Sequence, residues 1–505
     1  MTCQVPPVRV RYAPSPTGIP HIGNVRTALF DWLIAKKTGG RFILRIEDTD
    51  QARYDSQSEQ AIYESLQWLG LSWDEGPDKG GPYAPYTQSE RKQTYIDAAH
   101  HLVELGHAYF DDTTPEQLHA LRERQKAAKQ PPRYDGRGRH RTPDEIEQSR
   151  KAGLPVTVRL KVPEHGSISF IDAVRGKVSF KLKEIDDFVI LKSDQMPTYH
   201  LAHILDDHAM GITHVIRAEE WISSTPRHLL LHQALGIDLP VYVHAPLILG
   251  KDRSKLGKRH GATSVLEYRD QGFFPDAVFN FIALLGWSPG GDTEIMSRDE
   301  IVQRFSIDRI NDSPAIFDRE KLEWMNGVYI RNMTGDQLVT AVLPFLERSE
   351  PEGGLPESVE RPINRGYLKQ IIPLVHERLK LLTEATDTLD FFFADIARPR
   401  AEDLSGRKMN SSMARKALSA ALDLCRSVDP FEPSHLESEY RDLADRMDMK
   451  PGQLFSPIRV ATTGKAFAPP LFDTMVAIGR ARCVERIEVA MEVLGSDDSS
   501  DSVDK

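Results

Sequence analysis

Residues Val8 to Ala13 form a short, partly apolar run that stops at Pro14, and between Val25 and Lys37 apolar side chains (Ala28, Leu29, Trp32, Leu33) recur at helical spacing. Gly39-Gly40 ends that helix, and Phe42-Ile43-Leu44-Arg45-Ile46 reads as a second strand running into the acidic cluster Glu47-Asp48-Thr49-Asp50. Strand, loop, helix and strand make a βαβ unit, which implies parallel strands joined by a right-handed crossover. Ligands of such sheets sit at the carboxyl ends of the strands, where the Pro14–Asn24 loop and the Glu47–Asp50 cluster both fall.

Farther along, the pattern changes twice. From about Tyr95 to Ser193 a basic helical stretch precedes strand-like runs at Val156–Val162, Ser167–Ile171 and Lys177–Leu182, which predicts an inserted domain. Strand–helix alternation resumes at Phe188–Leu191 and continues through Val215–Arg217 and Val241–Val243, as if completing the first sheet. After about Arg331 the signals are almost wholly helical, as at Tyr367–Thr383 and Met413–Cys425, with prolines between them. Residues 495–505 are rich in Ser and Asp and cannot bury a core, which predicts a disordered tail.

Length and composition narrow the class. A chain of 505 residues exceeds what one core usually serves, and 40% hydrophobic with 27% charged residues is ordinary for a soluble, multidomain protein. No run approaches the roughly 18 apolar residues of a membrane helix, and MTCQVPPVRV has no apolar signal core, so no membrane partner and a cytoplasmic location are expected. Cys3, Cys425 and Cys483 are too few and too dispersed for a disulfide framework or a thiolate zinc site. The net charge of -10 does not exclude nucleic acid, because Arg122 to Arg141 holds eight bases against two acids. That segment reads either as a phosphate-tracking surface or as a solvated charged helix and loop.

The strongest chemical signal is Arg11-Tyr12-Ala13-Pro14-Ser15-Pro16-Thr17-Gly18-Ile19-Pro20-His21-Ile22-Gly23-Asn24, a proline-punctuated loop that delivers a histidine and a glycine to a helix N-terminus. Unpaired N–H groups and the helix dipole make such a terminus an anion site, His21 can donate to a phosphate oxygen, and Gly23 lets a nucleotide base come close. Neither the P-loop nor the G-x-G-x-x-G pattern occurs. The string resembles the His-Ile-Gly-His signature of class I aminoacyl-tRNA synthetases, and its longer form R-x-A-P-S-P-T-G-x-P-H-I-G is similar to the glutamyl and glutaminyl branch. Asn24 stands for the second histidine. Lys255-Leu256-Gly257-Lys258-Arg259 resembles the family's second signature, Lys-Met-Ser-Lys-Ser, with Gly257 in place of serine. Cations on such a loop suit the charge that develops on a departing pyrophosphate.

The resemblance implies a bacterial-type glutamyl-tRNA synthetase with L-glutamate, ATP with Mg2+, and the glutamate tRNA as substrates; use of the glutamine tRNA stays open. It implies catalytic roles for His21, Lys255 and Lys258. ATP would lie on Pro14, Ser15, Gly18, His21, Gly23, Asn24, Trp221 and Lys258. Glutamate would lie on Arg11, Ala13, Ser15, Glu47, Tyr199, His203 and Arg217, with guanidinium groups on its carboxylates and Glu47 on its ammonium. His203 falls where the family often has asparagine. Salt bridges that brace loops are the expectation for Arg45, Asp48, His208 and Glu219. No zinc is expected, because the stretches Ala108–Asp112 and Pro132–Arg139, where some relatives carry cysteines, have none.

The resemblance continues through Lys321–Gly327, similar to a stem-contact region, and Pro457–Gly464, similar to a helical anticodon cage. The expected class is α/β. A Rossmann-like parallel-sheet catalytic domain (1–94 and 194–250) would carry an inserted α+β acceptor-binding domain (95–193). A stem-contact domain with the KLGKR loop (251–331) and an all-α anticodon-binding half (332–494) would follow, in a monomer. Two rival classes remain: a small-molecule nucleotidyltransferase, suggested by Ile222–Arg227, and a catalytically silent RNA-binding relative, suggested by Gly257.

Overall fold

The computed structural model describes residues 7–257, 260, 264–405 and 409–497. Two compact units emerge, one of Met1–Asp270 with Pro275–Leu322 and one of Gln271–Phe274 with Glu323–Lys505.

In the first unit, strand β1 (Arg9–Tyr12) leads into helix α1 (Ile22–Thr38) and strand β2 (Arg41–Leu44), and β1 and β2 pair in parallel from Arg9↔Arg41 to Tyr12↔Leu44. Helix α1 stops at Gly39, whose φ of 65° lies in the left-handed region that glycine tolerates. Ile22, Val25, Leu29, Phe30 and Leu33 on α1 are fully buried, as expected of a helix covered on most sides. Strand β3 (Ala108–Asp111), β4 (Thr157–Leu160), β5 (Ser167–Asp172), β6 (Gly176–Lys181) and β7 (Val189–Leu191) follow, then helix α2 (Tyr199–Ala209), β8 (His214–Ala218), helix α3 (Thr225–Leu235) and β9 (Val241–Ala245). Strands β8 and β9 pair in parallel, and β1 runs beside β8, with the Thr213 amide donating to the Arg9 carbonyl at 2.9 Å. The carboxyl ends of β1 and β8 thus open toward the same region.

Two sheet assignments differ from the sequence expectation. The β5–β6 hairpin pairs through Asp172↔Tyr242 with β9, in a sheet ordered β6-β5-β9-β8, and so does not join β4. Strand β7 closes the antiparallel sheet β3-β4-β7 and does not resume the parallel one. The physical reason lies in the two patterns. Alternate burial of Ile168, Phe170 and Asp172 marks a strand with one wet face, and a bare three-residue run such as Val189-Ile190-Leu191 has no periodicity that separates one sheet from another.

The second unit is helical. Its longest helices are Ser411–Ser427, Pro433–Arg446, Pro451–Thr463 and Arg480–Asp497, packed around Leu418, Leu436, Ile458 and Ile487. The helix expected over 367–383 ends at Ile371, because Pro373 has no N–H to continue it, and two 3-10 turns follow at Ile372–Leu374 and His376–Arg378. Arg480–Asp497 carries the helix past Gly495, so the expected tail boundary moves; residues 498–505 lie outside the described residues. Cys425 and Cys483 are buried free thiols, and Cys3 lies outside the described residues. Among the described residues, no helix is long and apolar enough to cross a membrane.

Candidate active site

A cavity of about 500 Å³ opens where β1, β8 and the loop after β2 end. Arg11, Ala13, Pro14, Ser15, His21, Gly23, Asn24, Glu47, Tyr199, Arg217, Trp221 and Lys255 all line it. Its lining does not include Gly18, although Thr17 and Ile19 on either side line it, or His203. Lys258 lies outside the described residues.

The floor is a buried charge cluster built around Asp207 of α2. Asp207 accepts from Arg11 Nε at 3.0 and 3.2 Å, from Arg45 Nη1 at 2.7 Å, and faces His203 Nδ1 at 3.0 Å. Burial opposes the Asp207 charge, but Arg11, His203 and Arg45 outweigh it and hold the carboxyl well below the usual range. Arg45 also donates to Glu47 Oε1 at 2.9 Å, and burial, partly offset by Arg45, pushes Glu47 up. The neighbouring Asp206 takes Gln88, Arg91 and Tyr95 at 2.7–2.8 Å. Arg45 therefore braces the loops, as does Asp48, which accepts from the Ser89 amide at 2.8 Å; Glu219 pairs with Arg175 and takes the Leu247 amide. His208 is exposed.

His203 packs behind the cavity. Its ring stacks on Tyr199 at 5.3 Å and 2°, and burial lowers it to about 3, so the ring is neutral. It supports Tyr199 and Asp207 from behind. Tyr199 in turn lies 4.7 Å from Trp221, which forms an apolar wall on the open side.

At the other end of the cavity His21 caps α1. Its Nδ1 accepts from the Gly23 amide at 3.1 Å and the Asn24 amide at 3.3 Å. These are two of the N–H groups that the sequence reading left free for phosphate, so the terminus is already capped by its own histidine. An acceptor at Nδ1 puts the proton of the neutral ring on Nε2. Burial, with Lys255 adding to it, lowers the ring further. A Cβ on Gly23 would meet His21 Cε1 and Nδ1 at 3.0 Å, so a side chain there would press on the capping ring. Lys255 pairs with Glu220. Among the described residues, a Cβ at Gly257 would meet only the Lys255 carbonyl, at 3.9 Å.

Arg217, at the end of β8, is held differently from Arg11. Its Nε donates to His244 Nε2 at 2.9 Å, its Nη2 to Thr225 Oγ1 at 2.9 Å, and its Nη1 lies 3.2 Å from His228 Nδ1. The sequence reading reached none of these three partners as such. Thr225 lay within a quoted segment, but isolated histidines on a helix and a buried strand carry no spacing signal.

In the basic stretch, Arg137 pairs with Asp135, Arg139 with Asp187, and Arg141 with Asp112. Arg122, Arg124, Lys126 and Lys129 are exposed. Around the cysteine-free stretches Ala108–Asp112 and Pro132–Arg139, Asp111 accepts from Tyr134 at 2.9 Å and from Arg159 at 2.5 Å, and Asp187 accepts from Tyr109 and Arg139 at 2.5–2.6 Å, tying β3, β4 and the following loop together.

A parallel sheet with a histidine-capped helix and a cationic loop over one cavity defines the class of the class I synthetase catalytic domain. The family description "tRNA synthetases class I (E and Q), catalytic domain" matches residues 7–324, and "Anticodon binding domain" matches residues 337–491. A glutamate–tRNA ligase of Roseiflexus castenholzii is 49% identical over 97% of this chain and 97% of its own, and one of Dehalococcoides mccartyi is 47% identical over 96% and 98%. The crystal structure of a glutamate tRNA ligase from Elizabethkingia meningosepticum in complex with its amino acid has a TM-score of 0.86 at 34% identity, covering 96% of this chain and 99% of that one. The chain belongs to the glutamate–tRNA ligase family.

Proposed function

We propose that this chain activates L-glutamate with ATP and esterifies it to the 3′-terminal adenosine of the glutamate tRNA. The observation that carries the reading is the convergence in one cavity of two buried guanidinium groups (Arg11, Arg217), one buried carboxylate (Glu47) and a capped helix terminus with Lys255 beside it. Glutamate has two carboxylates and one ammonium, and this set answers each of them. The α-carboxylate must stay free to attack, so the bidentate guanidinium grip belongs on the side-chain carboxylate, with Tyr199 beside it and Glu47 toward the ammonium.

In the first step the α-carboxylate attacks the ATP α-phosphorus, and pyrophosphate leaves toward His21 and the KLGKR loop with Lys255 and Lys258. In the second, the terminal adenosine 2′-hydroxyl attacks the mixed anhydride and releases AMP. Catalysis is positioning plus charge stabilisation. ATP enters as its magnesium complex. Glu220 is paired with Lys255, so phosphate oxygens and water would hold the ion. The inserted region is assigned to the acceptor stem and the second, helical unit to the anticodon. The enzyme works in the cytoplasm as a monomer.

The deciding experiment is charging of separately purified glutamate and glutamine tRNAs with labelled glutamate, ATP and magnesium. Charging of the glutamate tRNA alone is the expected result, charging of both would mark a non-discriminating enzyme, and charging of neither would overturn the reading. A companion variant probes the phosphate end: His21→Asn keeps an acceptor for the helix cap but loses the Nε2–H donor. It is expected to slow glutamate-dependent pyrophosphate exchange by about 10²-fold. A rate within threefold of wild type would remove His21 from the phosphate step.

A further inference from the structure

Arg217 is a buried cation whose partners are all neutral. Arg11 and Arg45 each meet the Asp207 carboxylate, but among the described residues no carboxylate lies within ion-pair distance of Arg217, which is only 6% exposed. Its three anchors are Nε2 of His244, Nδ1 of His228 and Oγ1 of Thr225.

The protonation of each anchor follows from the fact that a guanidinium can only donate. His244 must present a bare Nε2 and carry its proton on Nδ1, where Asp172 Oδ2 accepts at 2.6 Å. His228 must present a bare Nδ1 and carry its proton on Nε2, 3.1 Å from His200 Nδ1. Thr225 turns its hydroxyl proton to the Trp221 carbonyl at 3.1 Å, which leaves a lone pair for Arg217. Every link is locked in one tautomer. A proton added to His228 or His244 would turn an acceptor into a second cation facing the first; burial, with Arg217 next, holds His228 well below its ordinary value.

Of the five guanidinium N–H groups three are used, and one remains on each terminal nitrogen, the number a carboxylate accepts bidentately. A carboxylate anchor would hold the same geometry but cancel the charge. We infer that His244, His228 and Thr225 are positioning residues that hold Arg217 oriented yet electrostatically unneutralised, so that the substrate's side-chain charge is what the site selects. Glutamate then supplies the anion that the buried cation lacks. Glutamine supplies a neutral amide whose N–H groups cannot pair with a guanidinium, and leaves the cation uncompensated.

This inference rests on assigning Arg217 to the glutamate side chain, and its test is built so that the two fail separately. Steady-state charging of the glutamate tRNA would be measured for wild type, His228→Asp, His228→Asn and Asp172→Asn, with glutamate and glutamine as competing amino acids. His228→Asp places an anion on Arg217 and is expected to raise KM for glutamate about 30-fold and to lower the glutamate-over-glutamine ratio tenfold or more, with KM for ATP within about twofold. His228→Asn keeps a neutral acceptor near the Nδ1 position and should restore KM to within about fivefold of wild type. Asp172→Asn removes the carboxylate that fixes the His244 tautomer, while its amide oxygen can still take the Val174 and Arg175 amides that Asp172 Oδ1 accepts, and is expected to raise KM for glutamate about tenfold with KM for ATP within about twofold; it decides the matter should His228→Asp not fold. Equal effects of His228→Asp and His228→Asn, an unchanged amino-acid ratio in His228→Asp, or an unchanged KM in Asp172→Asn would overturn the inference. A wild-type enzyme that charges no tRNA with glutamate would instead overturn the proposed function.

Discussion

Asp207→Ala is expected to destabilise the first unit by about 3–5 kcal/mol, because it strips the shared carboxylate from two buried guanidinium groups. Arg45 is fully buried and Arg11 nearly so, and Asp207 accepts from both. Glu47 would remain on Arg45, but among the described residues Arg11 keeps no other carboxylate within ion-pair distance, and burial pushes its acidic neighbour Asp31 up. Arg11 would have to swing toward the cavity, so glutamate binding should weaken with stability. Urea unfolding followed by circular dichroism, with and without saturating glutamate, measures both. A loss below about 1 kcal/mol would show that the cluster is not the keystone its hydrogen bonds suggest.

The parts of this fold that could be read from the chain are those with a long periodic pattern or a strong stop. Helix α1 is one, because its apolar spacing runs unbroken to Gly39-Gly40. The helical second unit is another, where Ser411–Ser427 and Pro451–Thr463 carry apolar faces over several turns. What could not be read was which sheet a short strand joins. Both β5 and β7 are strands where the pattern puts strands, but partner choice depends on contacts far away in sequence, Asp172 with Tyr242 and Val158 with Leu191. Pro373 shows the reverse case: a local breaker was present, and apolar spacing across it overstated the helix.

The cavity divides in the same way. Its rim came from contiguous strings, R-Y-A-P-S-P-T-G-I-P-H-I-G-N and R-A-E-E-W, whose residues need only a loop to bring them together. The anchors behind the rim are scattered: Asp172 on β5, His228 on α3 and His244 on β9 share no motif and meet only because β5, β8 and β9 lie side by side. A lone histidine in an apolar run reads equally well as core, and nothing short of the sheet order distinguishes the two. The cap on α1 was hidden for another reason. His21 was seen as a phosphate donor, but which ring nitrogen faces the helix depends on a side-chain rotation that no spacing encodes.

Arg217→Met should show the opposite balance from Asp207→Ala, with activity lost and stability kept. Methionine has a similar reach without charge, so the bidentate contact to the side-chain carboxylate disappears and kcat/KM for glutamate is expected to fall by about 10³-fold or more, most of it in KM. Folding gains from losing a buried cation that no carboxylate among the described residues pairs with and loses three hydrogen bonds to neutral acceptors, so the net change should stay within about 1 kcal/mol. Arg217→Lys would not restore activity, because an ammonium cannot reach His244, His228, Thr225 and a substrate carboxylate from one plane. Steady-state charging alongside thermal unfolding separates the outcomes. Strong destabilisation by Arg217→Met would mean that the arginine serves the fold; wild-type KM with intact stability would remove it from the glutamate site. A protein of unchanged stability that no longer binds glutamate would show that the site keeps this charge for its substrate and not for the fold.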